Sequence, residues 1–135
     1  MDCTYESKAK RVVAKAEDVY ARLSDFNSLS SAMPANLVKD WEATPDDCHF
    51  SIEKFGRVGL RIEDRTPHST IKYGHDGSFP FDMNIWVQIK QLDDGDCALK
   101  VTLKADLNLM AKMVAAKPLQ NLVDSMADSM SRASY

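Results

Sequence analysis

NLMAKMVAAKPLQNLVDSMADSMSR, residues Asn108 to Arg132, is the stretch on which the fold turns. Leu109, Met110, Met113, Val114, Leu119, Leu122, Val123, Met126 and Met130 recur at helical spacing, and Asn108 is suited to cap the first turn. The apolar stripe is too wide for a helix packed on a single neighbour, so it predicts a helix gripped on a broad front by a curved sheet. Pro118 stands mid-segment, where it removes a backbone donor and crowds the Val114 carbonyl, at about 3 kcal/mol or more in a straight helix. A kink near Lys117-Pro118 is therefore expected, and it would let the helix follow the curvature.

The hundred-odd residues before this helix alternate with period two. Turn chemistry interrupts them at Thr44-Pro45-Asp46-Asp47, Phe55-Gly56, Thr66-Pro67-His68, Gly74 to Pro80 and Asp93-Asp94-Gly95-Asp96. The expected strands are Tyr5 to Val13, then Leu37 to Ala43, Cys48 to Lys54, Val58 to Arg65, Thr70 to Tyr73, Met83 to Gln91 and Cys97 to Leu107. Between the first and second strands, Ala16 to Leu23 changes to helical spacing. Ser24 to Ser28 turns the chain, and Leu29 to Met33 allows one or two more helical turns before Pro34. The short links require mostly antiparallel pairing.

Alternation sends Phe50, Ile52, Val58, Leu60, Ile62, Ile71, Tyr73, Met83, Ile85, Val87, Ile89, Leu99, Val101, Leu103 and Leu107 to the covered face. Tyr5, Ser7 and Ala9 share one face of the first strand. Arg57, Arg61, Glu63, Lys72, Gln88, Lys100, Thr102 and Lys104 point to water, and Trp86 shares their side.

The chain has 135 residues, 44 % hydrophobic and 27 % charged, with a net charge of -3, the composition of one ordinary globular domain. Such a chain buries roughly two-thirds of its unfolded surface. No basic footprint for nucleic acid stands out. No run approaches a membrane span and no secretory h-region opens the chain, so a cytoplasmic location is expected. Cys3, Cys48 and Cys97 are odd in number and far apart, which suggests reduced, half-buried thiols and neither a disulfide framework nor a zinc site.

The order of a strand, two short helices, a six-strand antiparallel run and a long C-terminal helix resembles the helix-grip fold. The chain looks like a small bacterial member of the SRPBCC, or START-like, superfamily, with echoes at Val19 to Asp25, at Pro80-Phe81 with Ile85 to Gln88, and at Lys100 to Leu107 leading to Lys117-Pro118-Leu119-Gln120. The resemblance implies an α+β fold with a curved sheet of about seven strands and a hydrophobic pocket between sheet and helix. It does not by itself imply an enzyme.

A small hydrophobic or amphipathic ligand would then lie between Met113, Leu119, Val123 and Met126 of the helix and Phe50, Leu60, Ile85 and Val101 of the sheet. Tyr5 and Tyr73 would supply polar contacts. Plain core filling competes with this reading, since methionines also plug packed interiors. Tyr5, Ser7 and Tyr73 either bond one another or orient the guest.

The resemblance also admits a polyketide cyclase/aromatase-like enzyme in which Tyr73 or His75 moves protons, with Asp76 and Asp82 near His75 in sequence. A third reading is a protein-binding module or homodimer using Trp41 or Trp86. His49 and His68 read as surface residues. No metal or cofactor motif is present: the glycines do not form a phosphate loop, no serine sits in a nucleophile elbow, and the acidic cluster at Asp93 to Asp96 reads as a solvated turn.

Overall fold

The computed structural model describes residues 1–52, 55–77 and 81–135. Two segments of the expected pattern, the end of the strand at Glu53-Lys54 and the Ser78 to Pro80 part of the turn, lie outside the described residues. The elements are β1 (Asp2–Glu6), β2 (Lys10–Val12), α1 (Ala16–Leu23), α2 (Phe26–Leu29) running into a 3₁₀ turn (Ser30–Ala32), β3 (Val38–Ala43), β4 (Asp47–Ile52), β5 (Gly56–Thr66), β6 (Thr70–His75), β7 (Met83–Gln91), β8 (Cys97–Asp106) and α3 (Leu109–Arg132).

β3 to β8 form an antiparallel meander, and β1 and β2 close on its last strand, giving the order β1-β8-β7-β6-β5-β4-β3 with β2 also on β8. The sheet is curved, and α3 packs on its covered face. No helix among the described residues is long and apolar enough to cross a membrane.

The expected first strand is split by one extra residue. Glu6 faces Thr102, whereas Lys10 faces Leu99, so four steps on one strand oppose three on the other. Ser7 repairs the gap: its backbone N–H donates to the Val101 carbonyl and its hydroxyl accepts from the Val101 N–H, both at 2.9 Å. The bulge reverses the alternation beyond it, so Ala9 is exposed and Val12 becomes the buried residue.

A second bulge shifts β3 between Lys39 and Glu42, with Asp40 at φ 53°. The turn it makes carries Trp41 inward, where the indole stacks on Phe50 at 5.1 Å and its Nε1 donates to the Phe26 carbonyl at 3.0 Å. Phe26 in turn lies 5.3 Å from Tyr73, so an aromatic row crosses the interior. β5 leaves the core after Leu60, where the ladder with β4 ends at Arg61 and a register shift against β6 follows between Ile62 and Asp64; Ile62, expected inside, is only half-buried.

α1 forms where the spacing places it, burying Val19 and Leu23 and carrying Glu17 and Asp18 in the first turn. Its end is capped from three directions. Ser28 Oγ donates to the Arg22 carbonyl at 2.7 Å, Tyr73 OH to the Leu23 carbonyl at 2.5 Å, and the Arg65 guanidinium to the Ser24 carbonyl.

On β7, Met83, Ile85, Val87 and Ile89 are buried, so the register holds through Asp82. Trp86 faces outward as its parity requires, with Lys72 Nζ and Lys104 Nζ 5.5 and 5.6 Å from its ring centre. Thr102, expected in water, is buried beneath a bond from Gln88.

α3 starts at Asn108, whose side chain accepts from the Ala111 N–H at 2.8 Å, and helical structure is continuous past Pro118. Its covered stripe is Ala115, Leu119, Leu122, Val123, Met126, Ala127 and Met130. The first turns pack through Ala111 and Ala115 alone, and Leu109, Met110, Met113 and Val114 are 63 %, 79 %, 77 % and 76 % exposed. At 100° per residue, Met110, Met113 and Val114 fall on the side of the helix away from that stripe, so what reads as one broad apolar face is a buried seam on one side and an exposed apolar patch on the other.

Candidate ligand cleft

Nine of the ten expected ligand-contacting residues, Tyr5, Phe50, Leu60, Tyr73, Ile85, Val101, Leu119, Val123 and Met126, are buried together in one continuous core. Met113 does not join them; its side chain stands in solvent on the outer side of α3. The polar atoms within this core are committed to the protein. Tyr73 caps α1, Ser7 bonds Val101 and the Lys8 carbonyl, and the Tyr5 phenol sits beside Cys3, with burial pushing its pKa up. Among the described residues no buried side-chain nitrogen or oxygen lacks a partner. The aromatic row of Tyr73, Phe26, Trp41 and Phe50 fills the middle of the space that alternation alone leaves open.

The opening between helix and sheet lies at the margin of that core. Leu37, Ile52 and Phe55 from the β3–β4 side meet Lys117, Pro118, Asn121 and Leu122 of α3 around a cleft of about 360 Å³. Its walls are mostly apolar, with one ammonium and one amide at the rim. Pro118 contributes a ring surface without a backbone donor, so it adds apolar wall and no polar demand. None of the ten sequence-predicted residues lines this cleft. Leu122 and Pro118 were visible in the helix pattern, but nothing local marked which face would border a gap.

Phe55 forms a partition. On its other side, Phe55, Phe81, Leu107, Ala111, Val114 and Ala115 line a second depression of about 540 Å³, together with Asp82, Asp106 and Asn108. A larger depression of about 610 Å³ near the start of α1 has Lys15, Glu17, His68, Lys90, Asp93 and Asp94 around it, a charged lining poorly matched to an apolar guest.

The ionisable residues weighed for chemistry gather elsewhere. His75 Nε2 lies 2.9 Å from Asp82 Oδ1, and His75 Nδ1 accepts the Gly77 N–H at 3.0 Å, an arrangement that places the proton of the neutral ring on Nε2. Asp76 pairs with His49 Nε2 at 2.7 Å, and the His49 side chain stays partly exposed at the surface, as its parity indicates. His75, Asp76 and Asp82 line a polar cleft of about 370 Å³ with Arg61, Glu63, Lys72 and Asn84, sharing no residue with the apolar cleft. Tyr73 is fully buried, and desolvation holds its phenol far above the ordinary tyrosine range. It is therefore a poor proton donor or acceptor, and neither it nor His75 reaches the apolar cleft. Trp41 and Trp86, the expected interface anchors, are engaged by Phe50 and by two lysines.

Neither a protein-family model nor a curated protein matches the sequence. Solved structures do match the shape. A START superfamily protein from Mycobacterium smegmatis superposes with a TM-score of 0.68 at 18 % identity, covering 94 % of this chain and 96 % of that one. The fold is START-like. The START-like sheet and helix also superpose on the XoxI protein of Bacillus cereus (TM-score 0.75, 13 % identity, 97 % and 93 % coverage) and on truncated norcoclaurine synthase from Thalictrum flavum (0.75, 12 %, 98 % and 92 %). The START-like architecture thus spans nearly the full length of each chain, with the long C-terminal helix laid across the antiparallel sheet.

Proposed function

We propose that this START-like chain is a single domain that binds a small hydrophobic or amphipathic molecule at the margin of its helix–sheet interface. The observation that carries the reading is the mostly apolar cleft of about 360 Å³ between Leu37, Ile52 and Phe55 on one side and Pro118 and Leu122 on the other. Its volume is at the lower end of the roughly 300–1,000 Å³ typical of small-molecule sites. Lys117 and Asn121 at the rim suit a guest with an acidic or hydrogen-bonding end. The fold supports the reading by analogy: norcoclaurine synthase from Thalictrum flavum has an X-ray structure in complex with dopamine and hydroxybenzaldehyde.

Native mass spectrometry of the freshly purified protein, beside its denatured form, tests the proposal. An added non-covalent mass that is lost in Leu122→Trp, a variant that fills the cleft while the fold is retained by circular dichroism, is the expected result. If the wild type carries no adduct and takes up neither oleate nor 2-naphthol, the reading fails. An adduct that survives Leu122→Trp places the guest elsewhere and also overturns it.

A further inference from the structure

Lys117 and Asn121 stand one helical turn apart on α3, and each precedes a residue of the cleft's apolar wall, Pro118 and Leu122. A guest whose tail lies against Pro118 and Leu122 can set its polar end beside both an ammonium and an amide. Among the described residues Lys117 is the one charged side chain in the lining, and neither it nor Asn121 is engaged in an ion pair or a side-chain hydrogen bond. α3 carries no acid before Asp124, whose carboxylate accepts from Gln120 Nε2 at 3.1 Å. The facing wall of Leu37, Ile52 and Phe55 is uncharged. The cleft is thus an apolar slot with two exposed donors at its edge, one of them a cation.

We infer, on the reading of this cleft as a ligand site, that its guest is an apolar monocarboxylate. Its carboxylate accepts from Lys117 Nζ and from the Asn121 amide, and its hydrocarbon runs between Pro118 and Leu122 on one wall and Ile52 and Phe55 on the other. A guest seated here displaces water from the ammonium and the amide. A hydrocarbon end would leave those donors short of partners, and a carboxylate replaces the lost water by accepting from both. A guest ending in an ammonium would set two like charges together. One lysine balances one carboxylate, so a dianion such as a phosphate monoester would be left half matched. The lysine stem can lie along the apolar wall while its ammonium stays at the water edge, where the acid end of the guest would also sit. The volume of about 360 Å³ holds roughly a dozen non-hydrogen atoms at the approximately 30 Å³ that a water takes in the liquid, which is the size of a bicyclic aromatic acid.

Calorimetric titration of the full chain at neutral pH with 2-naphthoate, 2-naphthol and 2-naphthylmethylamine, which carry a negative, a neutral and a positive end on one ring system, tests the inference. The naphthoate is expected to bind about fivefold more tightly than the naphthol, the fold-change that a largely exposed ion pair carries, with the amine weakest and the preference shrinking at high salt. Lys117→Gln is expected to erase the preference, so that naphthoate binds no better than naphthol, and Lys117→Glu to turn it toward the amine. Both variants change an exposed position and should keep the wild-type melting curve. Equal binding of naphthoate and naphthol, with both lost in Leu122→Trp, would overturn the carboxylate and leave the cleft as the ligand site. A preference for naphthoate that survives Lys117→Gln comes from another cation and also overturns it. If none of the three binds, the carboxylate inference falls, and native mass spectrometry of the purified protein decides the cleft reading separately.

Discussion

The Tyr73 hydroxyl donates to the Leu23 carbonyl at 2.5 Å, joining the middle of β6 to the last turn of α1 across 50 residues of sequence. Both groups are buried, and the carbonyl belongs to the set that a helix end leaves without an internal partner. The phenol, which the sequence left between bonding a polar neighbour and orienting a guest, holds a helix-end carbonyl. Tyr73→Phe keeps the ring against Phe26 and removes only the donor, so its expected cost is about 1–3 kcal/mol from the stranded carbonyl. Urea denaturation should show a lower midpoint with an unchanged slope. An unchanged midpoint would mean that the carbonyl finds another donor.

Leu119 and Met113 stand on the two sides of α3, the buried seam and the exposed apolar patch. Leu119→Ala is expected to cost about 2–5 kcal/mol, because it opens a cavity in the core, whereas Met113→Ala should stay within about 0.5 kcal/mol. Equal losses would show that Met113 is covered in solution.

Cys48 is fully buried, and desolvation pushes its pKa up to about 12; burial also raises that of Cys97. At pH 8 the thiolate fraction of Cys48 is then more than about a thousandfold below that of a free cysteine. Labelling with an aromatic disulfide should leave Cys48 and Cys97 unmodified in the native protein and reach all three cysteines in denaturant. Fast labelling of Cys48 without denaturant would contradict the packing of β4 against β5.

Asp93 accepts the Gly95 and Asp96 backbone N–H groups at 3.1 and 2.8 Å and faces Arg11 at 2.9 Å. Those backbone bonds, and then the guanidinium, lower its pKa below the ordinary 3.8. A carboxylate with a depressed folded pKa adds stability above its unfolded value and loses it as pH falls through the folded one. A carboxyl-detected NMR titration should therefore give Asp93 a midpoint below 3.8, and Asp93→Asn should weaken the acid dependence of stability in that range. A midpoint at or above 3.8 would mean that the turn is open in solution.

The element order was legible because its signals are local. Met83–Gln91 and Ala16–Leu23 form at the bounds their periods indicate, and Asn108 caps α3 as its side chain allows. The shifts of register were not legible. The extra residue near Lys8-Ala9 exists only relative to β8, and the one at Asp40 only relative to β4; a single strand has no register until its partner supplies one. His49 and Asp76 met for the same reason, brought together from β4 and the end of β6 by pairing through β5.

By itself, the sequence determined a START-like order of strands and helices and most of the covered face of the sheet, since alternation, capping and turn chemistry act within a few residues. Only the tertiary structure decided that the inward residues fill a core, that the opening lies at Pro118 and Leu122, and that the early apolar residues of α3 stand outside its buried seam. Whether an apolar side chain is packed, lines a gap or meets solvent depends on which side of its element another element covers, and strand pairing and helix docking set that, not the side chain's own neighbours in the chain.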